Sequence, residues 1–253
     1  MNDQDEDDKT SSENRDDASS RQEADIIRFE PRKPGQPQPP SEDPSMRRRP
    51  EPFFNLPALT QKLIFLLIIH LFIGLFLSPG EVLQLFRGYG FVPGRYTGAI
   101  PFEWQAVIAP FTHMILHGGW MHLGMNMLML AAFGSGTERI LGTRAMLKVL
   151  VASGLGGAVF HLIVFPAASM PMIGASGAIS GLFGAVIVLL NKAQRLAGAP
   201  MGANIVWPLA TLWIGITLIF GIFVPGPGGQ DVAWTAHIGG FLTGLFMVYR
   251  GRL

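Results

Sequence analysis

The chain has 253 residues, 49% of them hydrophobic, with a mean hydropathy of +0.33, no cysteine and a formal net charge of +1. That near-neutral sum conceals a segregation: residues 1–52 hold 14 of the 18 acids and 9 of the 19 bases, leaving 4 acids and 10 bases for residues 53–253. A soluble domain carries about a quarter charged residues, so the longer part is not a water-exposed globule. Its scattered bases exclude a nucleic-acid-binding face, and the lack of cysteine excludes disulfides, thiol catalysis and thiolate metal sites.

Residues 1–52 are acidic and Ser-rich, then Pro-rich, with Ile26, Ile27 and Phe29 as almost their whole aliphatic and aromatic content. Such a stretch cannot bury enough apolar surface to offset its ordering entropy and is expected to be a disordered tail. It lacks the basic start and apolar core of a cleavable signal peptide, and residues 31–50 are expected to be stiff and partly polyproline-like.

From Phe53 onward the pattern is that of a membrane domain. Residues 63–80, 104–137, 149–191, 196–230 and 232–249 are nearly free of charge, and a spanning helix needs about 20 apolar residues. Pro166 and Pro171 divide the longest run. Six spans are predicted, starting near Leu63, Gly118, Arg144, Ser176, Ala203 and Ala233, with Trp104, Trp120 and Trp234 at helix starts, as in interfacial aromatic belts. Arg47, Arg48, Arg49 and Lys62 precede span 1. Arg139, Arg144 and Lys148 separate spans 2 and 3, Lys192 and Arg195 separate 4 and 5, and Arg250 and Arg252 follow span 6. Opposite them lie only Arg87 and Arg95, so the positive-inside rule puts both termini in the cytoplasm. The expected fold is an all-α, six-helix membrane bundle, N-in and C-in.

In that topology spans 2, 4 and 6 all enter from the outer face. Near their starts lie His113, His117, His122 and Asn126, then Ser176, then His237. Polar groups are costly in lipid and face the bundle interior, so a shared polar site at one depth is expected. Ser176 by itself suits close packing, since Gly177 and Gly181 form a GxxxG and Ala178 breaks the GxSxG elbow of soluble hydrolases. His237 alters the balance. Positions 237, 240 and 244 are i, i+3 and i+7, so two glycines lie on the histidine's face and allow the approach that a Ser–His hydrogen bond requires. His122 and Asn126, at i and i+4, share a face and can donate to an oxyanion. Aspartyl chemistry needs two carboxylates, and Asp231 is the lone Asp of residues 53–253; HExxH is absent. A metal held by His113, His117 and His122 is a minority reading, because no carboxylate or thiolate accompanies them. For His70 and His161, packing is the default.

These motifs resemble those of the rhomboid intramembrane serine proteases. The matches are His117-Gly-Gly-Trp-Met-His122-Leu-Gly-Met-Asn126, Gly134-x-x-x-Glu138-x-x-x-Gly142, Gly174-x-Ser176-Gly177-Ala178-x-x-Gly181-x-x-Gly184 and Ala236-His237-x-x-Gly240-x-x-x-Gly244. Each is weak alone, but four in order are specific, and the resemblance covers roughly residues 86–249. It implies a serine endopeptidase acting in or near transmembrane segments of other proteins, with Ser176 as nucleophile and His237 as general base. His122, Asn126 and the Ser176 N–H would hold the oxyanion, with Glu138 and Gly142 architectural. Some members carry a Trp-Arg pair in the first long loop; Arg95 here has no Trp before it, which leaves its role open. The expected partners are transmembrane protein substrates and the lipid bilayer, with no nucleic acid, metal or cofactor. The expected location is the plasma membrane, a bacterial inner membrane. The rival is a catalytically silent rhomboid-like chaperone or transporter that binds transmembrane clients. Asp231, six residues before His237, falls on the far side of a helix, so a dyad rather than a triad is expected. Residues 79–103 are expected to shape access at the interface, and residues 224–231 to form a mobile cap.

Overall fold

The computed structural model describes residues 55–200, 202–223 and 234–251. Arg252, Asp231, the 1–52 tail and the 224–231 link lie outside the described residues, and so do the expectations attached to them. The described residues are helical, with no strand beyond an isolated antiparallel bridge between Phe91 and Met172. The helices are α1 (Ala58–Gly74), α2 (Pro79–Tyr89), α3 (Pro93–Thr97), α4 (Ala109–Thr112), α5 (Trp120–Met129), α6 (Ser135–Leu141), α7 (Thr143–Val164), α8 (Ser176–Leu196), α9 (Val206–Phe223) and α10 (Trp234–Tyr249). A π-helical turn, Leu130–Gly134, joins α5 to α6. Helices therefore begin within a few residues of all six expected starts. By length and hydropathy α7 and α8 qualify as membrane spans, while Ala58–Phe72 and Val206–Ile219 are shorter apolar helices.

Two local devices set helix ends. The chain turns from α6 into α7 at Gly142, whose φ of 82° favours glycine, so the predicted loop between spans 2 and 3 shrinks to one residue. α1 starts five residues before the expected Leu63, because Glu138 of α6 accepts the Leu59 and Thr60 N–H groups at 3.0 and 2.8 Å. The same carboxylate accepts from the hydroxyls of Thr60 (2.8 Å) and Thr143 (3.0 Å). A buried carboxylate without a cation is tolerated when hydrogen bonds saturate its oxygens, and this one ties α1, α6 and α7 together.

α10 packs against both α7 and α8, which also meet each other, and glycine sets the spacing. A Cβ on Gly240 would overlap the Gly177 carbonyl, one on Gly244 the Gly181 carbonyl, and one on Gly184 would come within 2.6 Å of the Phe241 carbonyl. On the other side a Cβ on Gly157 would sit 2.6 Å from the Ala236 carbonyl. Membrane helices gain association energy mainly from such packing, since lipid is as apolar as the helices themselves. Phe183 of α8 then meets Phe133, Trp213 and Phe241 with ring centroids at 4.7, 4.8 and 6.0 Å, joining the π turn, α9 and α10. Lys192 Nζ donates to the Val248 carbonyl at 2.9 Å, which also accepts the Gly251 N–H at 3.3 Å, so the end of α10 is tied to α8.

The segment expected as a long loop is partly helical. Ser78 and Glu81 form a capping box at the start of α2. Arg95, in α3, is 9% exposed; its guanidinium donates to the Gly88 carbonyl at 3.3 Å and pairs with Glu103 at 3.0 Å. The open question of Arg95 thus acquires an answer in this chain: it clasps the end of α2 to residue 103 and folds the segment back on itself.

Candidate active site

Ser176 is the first residue of α8, and Ala175 before it offers no side-chain cap. The first N–H groups of the helix, including that of Ser176, consequently have no intrahelical acceptor. Their positive end of the helix dipole favours developing negative charge. His237 lies in the first turn of α10, and its Nε2 is 2.7 Å from Ser176 Oγ. The contact crosses the interface at which Gly177 meets Gly240, and a Cβ on Gly177 would lie 3.1 Å from the Ala236 carbonyl. Among the described residues no hydrogen bond to His237 other than that from Ser176 is present.

The other side of the site is built from the α4–α5 segment. Gly174 has φ 118°, and a Cβ there would fall 2.7 Å from His122 Nε2 and 3.7 Å from Ser176 Oγ. His122 and Ser176 therefore flank the same glycine, which leaves a small space between them and holds a backbone conformation that other residues rarely adopt. The Gly174 N–H donates to the His113 carbonyl at 2.8 Å, and the His113 Nδ1–H donates to the Ala109 carbonyl at 3.0 Å. These bonds lock the segment preceding Ser176 onto the α4 region. Asn126 is 4% exposed, and its amide donates to the His122 carbonyl at 2.9 Å, so one of its two protons is engaged in its own helix. Ser180 donates to the Ser176 carbonyl at 2.8 Å, the local bond expected of a helical serine.

The four predicted site residues are thus distributed as a 2.7 Å Ser176–His237 pair, with His122 across Gly174 and Asn126 one turn below His122. His113, His117 and His122 do not assemble as a metal cluster; no group of three such side chains does among the described residues. Two further relationships bear on the site. His161 does more than pack: its Nδ1 lies 2.6 Å from the hydroxyl of Thr235, a fully buried residue two positions before His237. It fastens the start of α10 to α7. Gly174 stands two residues before Ser176, and a glycine at that position is the sequence signal for the close approach of His122.

The chemistry this geometry permits is nucleophilic attack by a hydroxyl beside an imidazole, next to N–H donors. The comparisons with known proteins agree in class. The Rhomboid domain family matches residues 104–252, and the chain belongs to the rhomboid family, an integral membrane family. It is similar to the rhomboid protease GluP of Bacillus subtilis, 31% identical over 57% of this chain and 25% of that protein. It is also similar to YdcA of the same organism, 31% identical over 64% of this chain and 79% of that protein. Rhomboid protein 1, mitochondrial, of Saccharomyces cerevisiae is 30% identical over 51% of this chain and 37% of its own length. The chain thus spans a quarter of GluP and most of YdcA.

Proposed function

We propose that this protein is an intramembrane serine endopeptidase that hydrolyses peptide bonds in or beside the transmembrane segments of other membrane proteins. The observation that carries the reading is the 2.7 Å contact between His237 Nε2 and Ser176 Oγ, made across two helices whose glycines allow the approach. With Nδ1 protonated, Nε2 accepts the hydroxyl proton as Oγ attacks the scissile carbonyl. The oxyanion then meets the Ser176 N–H at the uncapped start of α8, the His122 imidazole across Gly174 and the second amide proton of Asn126. Protonated His237 passes its proton to the leaving nitrogen, and water hydrolyses the acyl-enzyme by the reverse sequence. A substrate helix hides its carbonyls in hydrogen bonds, so it must unwind locally. Substrates with small or helix-breaking residues near the outer interface are therefore preferred.

The same proposal includes the topology. Residues 53–253 form the protease domain, with α1, the α5–α6 rod, α7, α8, α9 and α10 as six spans, and residues 1–52 form a cytoplasmic tail. Both termini face the cytoplasm at the plasma membrane. The distribution of the ten bases of that domain supports it, eight of them lying on one side.

The test is to incubate the purified full chain with a fluorophosphonate probe and, separately, with a transmembrane model substrate. Labelling and cleavage appear in the wild type and vanish in Ser176→Ala; His237→Ala abolishes cleavage. A wild type that binds the segment but neither labels nor cleaves is the silent relative instead.

A further inference from the structure

Close to the Ser176–His237 pair, α10 meets its neighbours largely through glycine on backbone: Gly240 against the Gly177 carbonyl of α8, and Gly157 of α7 against the Ala236 carbonyl. Such contacts set how near α10 lies, but surfaces without side chains offer few ridges to resist rotation of a helix about its own axis. Rotation matters here. Side chains reach about 5–6 Å from a helix axis, so a turn of about 10° moves a ring tip by about 1 Å. That is enough to take His237 Nε2 out of its 2.7 Å contact with Ser176 Oγ.

A base in such a pair is ordinarily oriented by a third group. Among the described residues none bonds the other ring nitrogen of His237, so the direction of its ring falls to the way the start of α10 is held. The Trp234 ring meets Phe165 edge-on with centroids 6.2 Å apart, an apolar contact that allows sliding. The bond of His161 is directional: its Nδ1 lies 2.6 Å from the Thr235 hydroxyl. Thr235 is fully buried, where a lost hydrogen bond is not replaced by water. Imidazole and hydroxyl can each donate or accept, so the bond persists in either neutral tautomer of His161. Residues 235 and 237 are two apart, about 200° round the helix. His161 therefore holds the side of α10 roughly opposite the one that His237 presents to Ser176.

We propose that His161 is a positioning residue for the serine–histidine pair: through Thr235 it fixes the rotation of α10 that brings His237 Nε2 to Ser176 Oγ. Its effect on rate rests on the proteolytic reading; its effect on the Ser–His contact does not. A bond that served stability alone would lower the Tm of its variants and leave that contact intact in the folded molecules.

The test uses the full chain in phosphatidylcholine nanodiscs, labelled with 15N-histidine. The His237 Nε2 resonance, identified by its absence in His237→Gln, shifts when Ser176→Ala removes the hydrogen bond. His161→Ala and the near-isosteric Thr235→Val shift it in the same direction at temperatures where both are folded. His161→Asn, whose amide offers a polar atom in the place of Nδ1, leaves it near the wild-type position. With a transmembrane model substrate, kcat falls about 10–100-fold in His161→Ala and in Thr235→Val with KM unchanged. The double variant is no slower than either single one, and His161→Asn and Thr235→Ser recover most of the rate. An unmoved His237 resonance in both His161→Ala and Thr235→Val, an additive loss in the double variant, or a His161→Asn protein as slow as His161→Ala overturns the proposal. A wild type that shows the bonded His237 resonance but cleaves nothing counts against the proteolytic reading instead, and the resonances of the variants then decide the role of His161 alone.

Discussion

Gly240 of α10 rests against the carbonyl oxygen of Gly177 of α8, with no room for a Cβ between them. Three residues before Gly240 is His237, and one residue before Gly177 is Ser176, so a glycine-to-backbone approach of the two helices directly underlies the Ser–His contact. Gly240→Ala is expected to push α10 outward. Overpacking of this kind costs about 1–3 kcal/mol, and a misplacement of about 1 Å lowers the rate roughly 100-fold. Cleavage of a transmembrane substrate should therefore fall far more than Tm does. A Gly240→Ala protein that cleaves at the wild-type rate would show that the spacing is not limiting.

His122 and Asn126 are expected to differ in their contributions. Removing an oxyanion donor costs about 10²–10³ in kcat, and His122→Ala is expected to lie in that range with little change in KM. Asn126 already spends one amide proton on the His122 carbonyl. Asn126→Ala should therefore lower both Tm and kcat, whereas His122→Ala should affect mainly kcat. Parallel measurement of kcat, KM and Tm distinguishes the two patterns.

Asp231→Asn is expected to retain cleavage near the wild-type rate, because the proposed mechanism requires only Ser176 and His237. A loss as deep as that of His237→Ala would convert the dyad into a triad.

Glu138→Gln is expected to destabilise the fold without touching the site. The carboxylate receives four donors, and a glutamine amide group would confront them with donors of its own. Leaving a buried donor unpaired costs about 1–3 kcal/mol, which lowers Tm by about 3–10 °C. Protein that remains folded at low temperature should still label with the fluorophosphonate probe. Complete loss of labelling in folded protein would assign Glu138 a part in the chemistry.

Arg95→Met is expected to loosen residues 79–103 while leaving the helices outside that segment in place, because among the described residues the guanidinium bonds only within it. Faster amide hydrogen exchange confined to those residues is the measurement. Glu103→Gln should have a smaller effect, since Glu103 is half exposed and such pairs contribute about 1 kcal/mol or less.

Local pattern alone determined the class of this protein. Apolar run lengths, prolines between them and the segregation of charge are properties of neighbouring residues, and they specified helices at six places within a few residues. The glycine face below His237 was equally legible, because i, i+3 and i+7 fall on one side of any α-helix. What the sequence could not express was which distant groups satisfy one another. The Glu138 carboxylate caps a helix 78 residues earlier, and His161 bonds Thr235 across 74 residues. Neither pairing has a periodicity or spacing that announces it, since each arises only when helices already packed for other reasons bring a buried donor to a buried acceptor. The 2.7 Å between Ser176 and His237 is of the same kind. Composition and spacing made that contact possible, and only the packing of α8 against α10, glycine on backbone, made it short enough to transfer a proton.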